Sequence, residues 1–258
     1  MAKFGKWIAG GLGWAFLGPI GGLIGFALGA MVDGQDGIMT QQGLKPGATT
    51  QGDFITSLVV LMAAVMKSDG RILKSELDYV KEFFVRSFGI DQAQQATLLL
   101  RSVLEQNIPV EEVSKQIGQR MDYSTRLELI HLLFGISKAD GLVSPEELKT
   151  VERIAYYMGI KTEDYNSIKS LFSDNLESAY AALEVTSDVS DDELKKAYRK
   201  MAVKYHPDKV AYLGEELKNQ ANEKFQQLNA AYERIKKARE GLIELRIFAA
   251  QNLSDHGH

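Results

Sequence analysis

The chain is predicted to be all-α: a glycine-rich membrane helix, then a helical bundle built on two related Asp-Gly hairpins, then a C-terminal helical hairpin. Three observations carry this. From Trp7 to Val32 there are 26 residues without a charge, and about 20 apolar residues suffice to span a bilayer core. Through the middle of the chain apolar residues recur at intervals of three and four, the period of a helix with one buried face. No alternating β pattern interrupts them.

The N-terminal run is bracketed by Lys6 and Asp33, and ten of the 23 glycines fall within residues 1–34. Gly21, Gly25 and Gly29 repeat every fourth residue and Gly18 pairs with Gly22, a spacing that lets two helix backbones approach closely. A span in the lipid bilayer and a homodimer contact through these glycines are the expectations. A cleaved signal peptide fits less well, because the apolar run is too long and no A-x-A site follows. Lys3 and Lys6 precede the run while Asp33 and Asp36 follow it, so flanking charge alone would keep the N-terminus in the cytoplasm and send the rest across. Residues 33–52 hold five glycines, one proline and no aromatic residue, and read as a linker.

Residues 53–173 read as helical throughout. Stripes run through Leu58, Leu61, Met62, Val65 and Met66, through Leu77, Val80, Phe83, Phe84 and Phe88, and through Leu129, Leu132, Leu133 and Ile136. Ser144-Pro145-Glu146-Glu147 supplies a capping serine, a proline at the first helical position and a glutamate at the third. The segment repeats itself: Lys67-Ser68-Asp69-Gly70 followed by Glu76 matches Lys138-Ala139-Asp140-Gly141 followed by Glu147, offset by 71 residues. These are the last residues of an EF-hand loop without the first, since Val65, Lys67, Ile136 and Lys138 stand where oxygen ligands are needed. Two readings stay open. In one, glycine ends a helix in the left-handed conformation. In the other, Asp69, Glu76, Asp140 and Glu147 gather to bind a divalent cation, which would relieve their mutual repulsion. Paired Asp-Gly hairpins in an all-helical unit resemble a TerB-type domain, the fold associated with tellurite-resistance proteins, and that resemblance implies acidic residues suited to metal.

Residues 174–241 form a second helical unit, and residues 242–258 a helical extension and tail. Ser190-Asp191-Asp192-Glu193 opens a helix as a capping box. Leu194, Ala197, Met201 and Tyr205 are spaced for a core, while Lys195, Lys196, Arg199, Lys200 and Lys204 form a basic face directed away from it. The helix stops at His206-Pro207-Asp208, because proline disfavours helix in the residue before it. A second helix carries Phe225, Leu228, Ala231, Tyr232 and Ile235. Tyr-x-x-Leu, Lys-Lys-Ala-Tyr-Arg-Lys, Tyr-His-Pro-Asp-Lys and Phe…Ala-Tyr, in this order and spacing, resemble the J domain.

That resemblance implies a DnaK-type ATPase chaperone as partner. His206, Pro207 and Asp208 would dock on it, with Lys195, Tyr198, Arg199, Lys200, Lys204 and Lys209 around them. The charge pattern agrees, since a cationic face attracts an acidic patch and sets its register. One departure is plain: Val210-Ala211-Tyr212-Leu213-Gly214 lacks the Asn-Pro usual in the family. In overall order the chain resembles the DjlA-like membrane-anchored J-domain co-chaperones. These sit in the inner (cytoplasmic) membrane as single-pass proteins with both helical domains in the cytoplasm, a placement set here above the small lysine bias. The alternative class is an envelope-stress or metal-responsive scaffold in which the J domain is auxiliary.

Composition bounds the rest. A formal net charge of -4 over 258 residues gives no field for nucleic acid. With no cysteine there is no disulfide, thiolate metal site or cysteine nucleophile. His206 has no nucleophile or second histidine at metal spacing. The chain is therefore expected not to be an enzyme and to require no cofactor, the divalent cation of the Asp-Gly unit aside.

Overall fold

The computed structural model describes residues 18–25, 51–138 and 144–255. Among these every regular element is helical. A short helix α1 covers residues 18–25. Then come α2 (Gln51–Met66), α3 (Lys74–Phe88), α4 (Ile90–Leu104), α5 (Val110–Arg120), α6 (Tyr123–Ser137), α7 (Pro145–Tyr157) and α8 (Thr162–Ser170). The second unit comprises α9 (Leu176–Ala182), α10 (Asp191–Lys204), short 3-10 turns at Pro207–Lys209 and Ala211–Leu213, and α11 (Glu215–Asp255).

The apolar stripes of α2 and α6 tell only part of their burial. Leu58 through Val65 are closed off from solvent on every side of α2, and Leu127 through Phe134 nearly so on α6. A helix apolar all round belongs at the centre of a bundle. α2 accordingly meets α4, α5, α6 and α7, while α6 meets α3, α5, α7 and α8. The outer helices keep one wet face: α3 buries Val80, Phe83, Phe84 and Phe88, whose rings stack edge-on and tilted.

The helix starts follow their sequence signals. Ser144 Oγ accepts from Glu147 N at 3.1 Å while Glu147 Oε2 accepts from Ser144 N at 2.9 Å. In the first Asp-Gly turn, Gly70 has φ +77° and Asp69 Oδ1 accepts from Arg71 N at 2.8 Å. This is the left-handed helix stop expected of glycine. Its counterpart at Asp140-Gly141 lies outside the described residues.

α1 lies against the bundle. Ile20 N donates to Gln116 Oε1 at 3.0 Å, Gln106 Nε2 donates to Leu23 O at 3.3 Å, and Ile20 and Leu23 are buried. Gly21 and Gly22 are buried here, Gly18 and Gly25 partly so, and Gly29 lies outside the described residues. Among the described residues no helix is long and apolar enough to cross a membrane.

The backbones of α5 and the end of α7 approach closely at Gly118. A Cβ on Gly118 would stand 2.8 Å from the Met158 carbonyl oxygen. Gly118→Ala is therefore expected to cost about 1–3 kcal/mol. It should appear as a lower urea midpoint with unchanged slope; an unaltered midpoint would mean that α7 gives way freely.

Candidate functional site

The site begins with the cap of α10. Glu193 N donates to Ser190 Oγ at 3.3 Å and Ser190 N to Glu193 Oε2 at 2.9 Å. Three acids in the first turn and Lys204 in the last complement the helix dipole. Leu194, Met201 and Tyr205 are buried as their spacing predicts, and α10 packs on α11. Tyr198 stacks on Tyr232 with ring centroids 4.3 Å apart, and its hydroxyl donates to Asn229 Oδ1 at 2.9 Å. Lys195, Lys196, Arg199 and Lys200 stand exposed on the other face.

At the end of α10 the chain turns a tight corner. Pro207 is buried and opens a 3-10 turn, closed by Lys209 N donating to His206 O at 3.0 Å and Val210 N to Pro207 O at 3.2 Å. His206 Nδ1 accepts from Asp208 N at 3.3 Å, so this nitrogen carries no proton in that bond. The side chains of His206 and Asp208 are nonetheless 51% and 69% accessible. Asp208 Oδ1 lies 3.9 Å from Lys218 Nζ, and the His206 ring sits edge-on to Phe225. Lys209 is exposed beside them. The corner thus offers an imidazole and a carboxylate on a backbone that cannot easily flex. That geometry suits docking.

Lys204 departs from the expected basic face. It turns inward, with a side chain 22% accessible against 66% for Lys200. It donates to Asp164 of α8 and, at 2.6 Å, to Glu184 Oε1, while Lys200 donates to Glu184 Oε2 at 2.8 Å. The reason is the acid placed within its reach on the neighbouring unit, which helical periodicity cannot reveal. Burial pushes the Glu184 carboxyl up, but the Lys200 and Lys204 ammonium groups outweigh it and hold the group at about 2.

The two helical units meet along a polar seam. Tyr212, in the loop that departs from the family pattern, donates to Asp122 Oδ2, the cap of α6, and lies 2.6 Å from Thr125 Oγ1. Burial pushes Asp122 up, yet the bonds from Tyr212 and Thr125 hold it below its ordinary range. Its neighbours Val210 and Leu213 are buried. Tyr205 OH lies 3.3 Å from Ser167 Oγ, and Ser167 Oγ donates to Ala182 O at 2.7 Å. Deeper in, Lys224 of α11 donates to Glu128 of α6, both closed to solvent. His131 Nε2 lies 3.1 Å from Gln227 Oε1, and burial above all drives the imidazole down to about 4, so it is neutral. Sequence reasoning missed Asp164, Glu184, Glu128 and Lys224. Lys224 did leave a signal, a charge set between Ala221 and Leu228 in the core stripe of α11.

Of the four carboxylates expected to gather, two meet. Glu76 and Glu147 are buried, cap α3 and α7, and stand close enough to repel each other. Burial, reinforced by Glu147, pushes Glu76 up to about 7 against the capping bond from Leu73. Asp69 is turned to its own loop and Asp140 lies outside the described residues. Among the described residues no three acidic or histidine side chains are grouped to hold a metal. A proton shared by the pair would relieve the same repulsion as a cation.

Comparison with known proteins agrees with this arrangement. Residues 1–47 match the co-chaperone DjlA transmembrane domain, residues 56–170 the tellurite resistance protein TerB model, and residues 178–240 the DnaJ domain. Corner, basic helix and match together mark residues 178–240 as a J domain. In the order of its three matched regions the chain resembles the DjlA-like membrane-anchored J-domain co-chaperones, with a TerB-like domain between the transmembrane-domain match and the J domain. It is 26% identical to the co-chaperone protein DjlA of Coxiella burnetii over 93% of this chain and 99% of that one. It is 24% identical to that of Haemophilus influenzae over 93% and 99%, and 27% identical to that of Vibrio cholerae over 74% and 79%. No solved structure matches the chain.

The carboxyl pair has a measurable consequence. A carboxyl whose pKa is higher folded than unfolded takes up a proton on folding. Its contribution is complete below its ordinary value of 4.5 and is lost as pH rises through about 7. Glu76→Gln, neutral at every pH, should flatten the fall in urea midpoint between about pH 5 and about pH 8; a fall as steep as in the parent chain would refute the shared proton.

Proposed function

We propose that this chain stimulates ATP hydrolysis by a DnaK-type chaperone. The His206-Pro207-Asp208 corner docks on the partner, and the exposed cations of α10 guide the approach. The observation that carries this reading is the corner itself: Pro207 is buried while His206 and Asp208 face solvent at the end of α10, the helix on which Lys195, Arg199 and Lys200 are exposed. Lys209 extends the cationic surface past the corner. Charge complementarity of this kind raises the encounter rate and fixes register, while the corner provides the specific contact. The chemistry is the partner's: this chain contributes a binding surface, and no nucleophile–base pair stands at the corner among the described residues.

The transmembrane-domain match supports a single pass through the inner membrane. Both helical domains are then in the cytoplasm, where ATP and a DnaK-type chaperone are found. A periplasm-dependent reporter fused at the C-terminus should stay silent; its activity would reverse this topology.

Asp208→Asn should leave the helical circular dichroism intact, because Asp208 is exposed and caps nothing beyond its own turn. Single-turnover ATP hydrolysis by the partner should lose its stimulation by about tenfold or more, as befits an anchor contact. Full stimulation by this variant would remove the corner from the mechanism.

A further inference from the structure

We propose that the TerB-like domain latches the J domain through Asp164, which together with the J domain's own Glu184 holds Lys204 and so competes with the partner's acidic surface for that cation. This rests on the docking reading above and adds a control to it. Asp164 is a fixed competitor: it is buried on α8, with Oδ1 taken by Lys204 and Oδ2 by the Tyr123 hydroxyl. Glu184 stands at the left-handed stop of α9. Val185 N reaches back to Tyr180 O at 3.1 Å, and Glu184 has φ +56°. That position favours glycine, yet here it carries a carboxylate whose two oxygens meet two lysines of the docking helix.

Closed, the chain still presents His206 and Asp208, but Lys204 beside them is spoken for. The Tyr212 bonds to Asp122 and Thr125 hold the far side of the corner to the same domain. A partner that needs Lys204 therefore binds only the fraction of molecules in which it has come free, and its apparent affinity falls by that fraction.

The test uses the full chain in detergent micelles with a DnaK-type chaperone and ATP, reading the chain concentration for half-maximal stimulation. Asp164→Asn and Glu184→Gly both lie outside the docking corner. Each should lower that concentration by about threefold, as a modest competing ion pair predicts. Amide exchange at the end of α10 and in α8 should quicken. Glycine suits the backbone at position 184, so this variant still reads whether freeing Lys204 tightens binding should Asp164→Asn fail to fold. An unchanged or higher half-saturating concentration in the folded variants overturns the latch. Asp208→Asn, added to each background, separates the two claims. Stimulation that survives it strikes the docking reading, whereas stimulation lost there with no gain at Asp164 or Glu184 strikes the latch alone.

Discussion

Lys224 enters the seam between α11 and α6 and is met there by Glu128, both closed to solvent. Taking two charges out of water consumes most of what their attraction returns, so such a pair adds little net stability; removing one partner, however, costs about 3–5 kcal/mol. Its effect is on register. α11 cannot rotate or slide along the TerB-like domain without stranding an ammonium or a carboxylate in an apolar setting. Glu128 Oε1 and His131 Nδ1, 3.9 Å apart, make no hydrogen bond, so a shift that also stranded Lys224 would add an unmet charge to a seam that already holds unmet polar atoms. With α11 fixed, the loop before it brings Tyr212 to Asp122, and α10 brings Lys204 to Asp164. The site's geometry is thus set partly from outside the J domain.

This explains what the sequence did and did not disclose. Ser144 with Glu147 and Ser190 with Glu193 were legible as caps because both partners lie within one turn. Gly70 was legible because a single backbone angle decides its role. The tripeptide corner and the core positions Leu194, Met201 and Tyr205 were legible for the same local reasons. The inward turn of Lys204 was not: its partner Asp164 is 40 residues distant, and a lysine at that helical position is ordinarily solvated. The centrality of α2 and α6 was half visible, since a stripe of apolar residues does not say that the remaining faces are also covered. Asp69, Glu76, Asp140 and Glu147 stood out through the repeat, but their spacing alone could not say which of them come together, since that is set by the packing of α3 against the rest of the bundle.

The loop at residues 210–214 shows how a departure from a family pattern acquires meaning. Read alone, Val-Ala-Tyr-Leu-Gly is an apolar stretch in place of a polar turn. In the fold, Val210 and Leu213 are core and Tyr212 ties the loop to the cap of α6. The change suits a J domain seated on a particular neighbour. Tyr212 accepts a local penalty, an exposed ring, for bonds that exist only when the neighbour is present, whereas Glu184 takes a left-handed backbone to hold two lysines of its own domain.

α11 runs unbroken for 41 residues, whereas its antiparallel companion α10 has 14. At 1.5 Å per residue it is a rod roughly 60 Å long. With Lys224 as fulcrum, a tilt of ten degrees at the seam would sweep its far end through about 8 Å. Ångström-scale adjustments between the domains are magnified there into excursions wide enough for a distance probe. Since the chain has no cysteine, a single introduced thiol near residue 250 would carry that probe without competition.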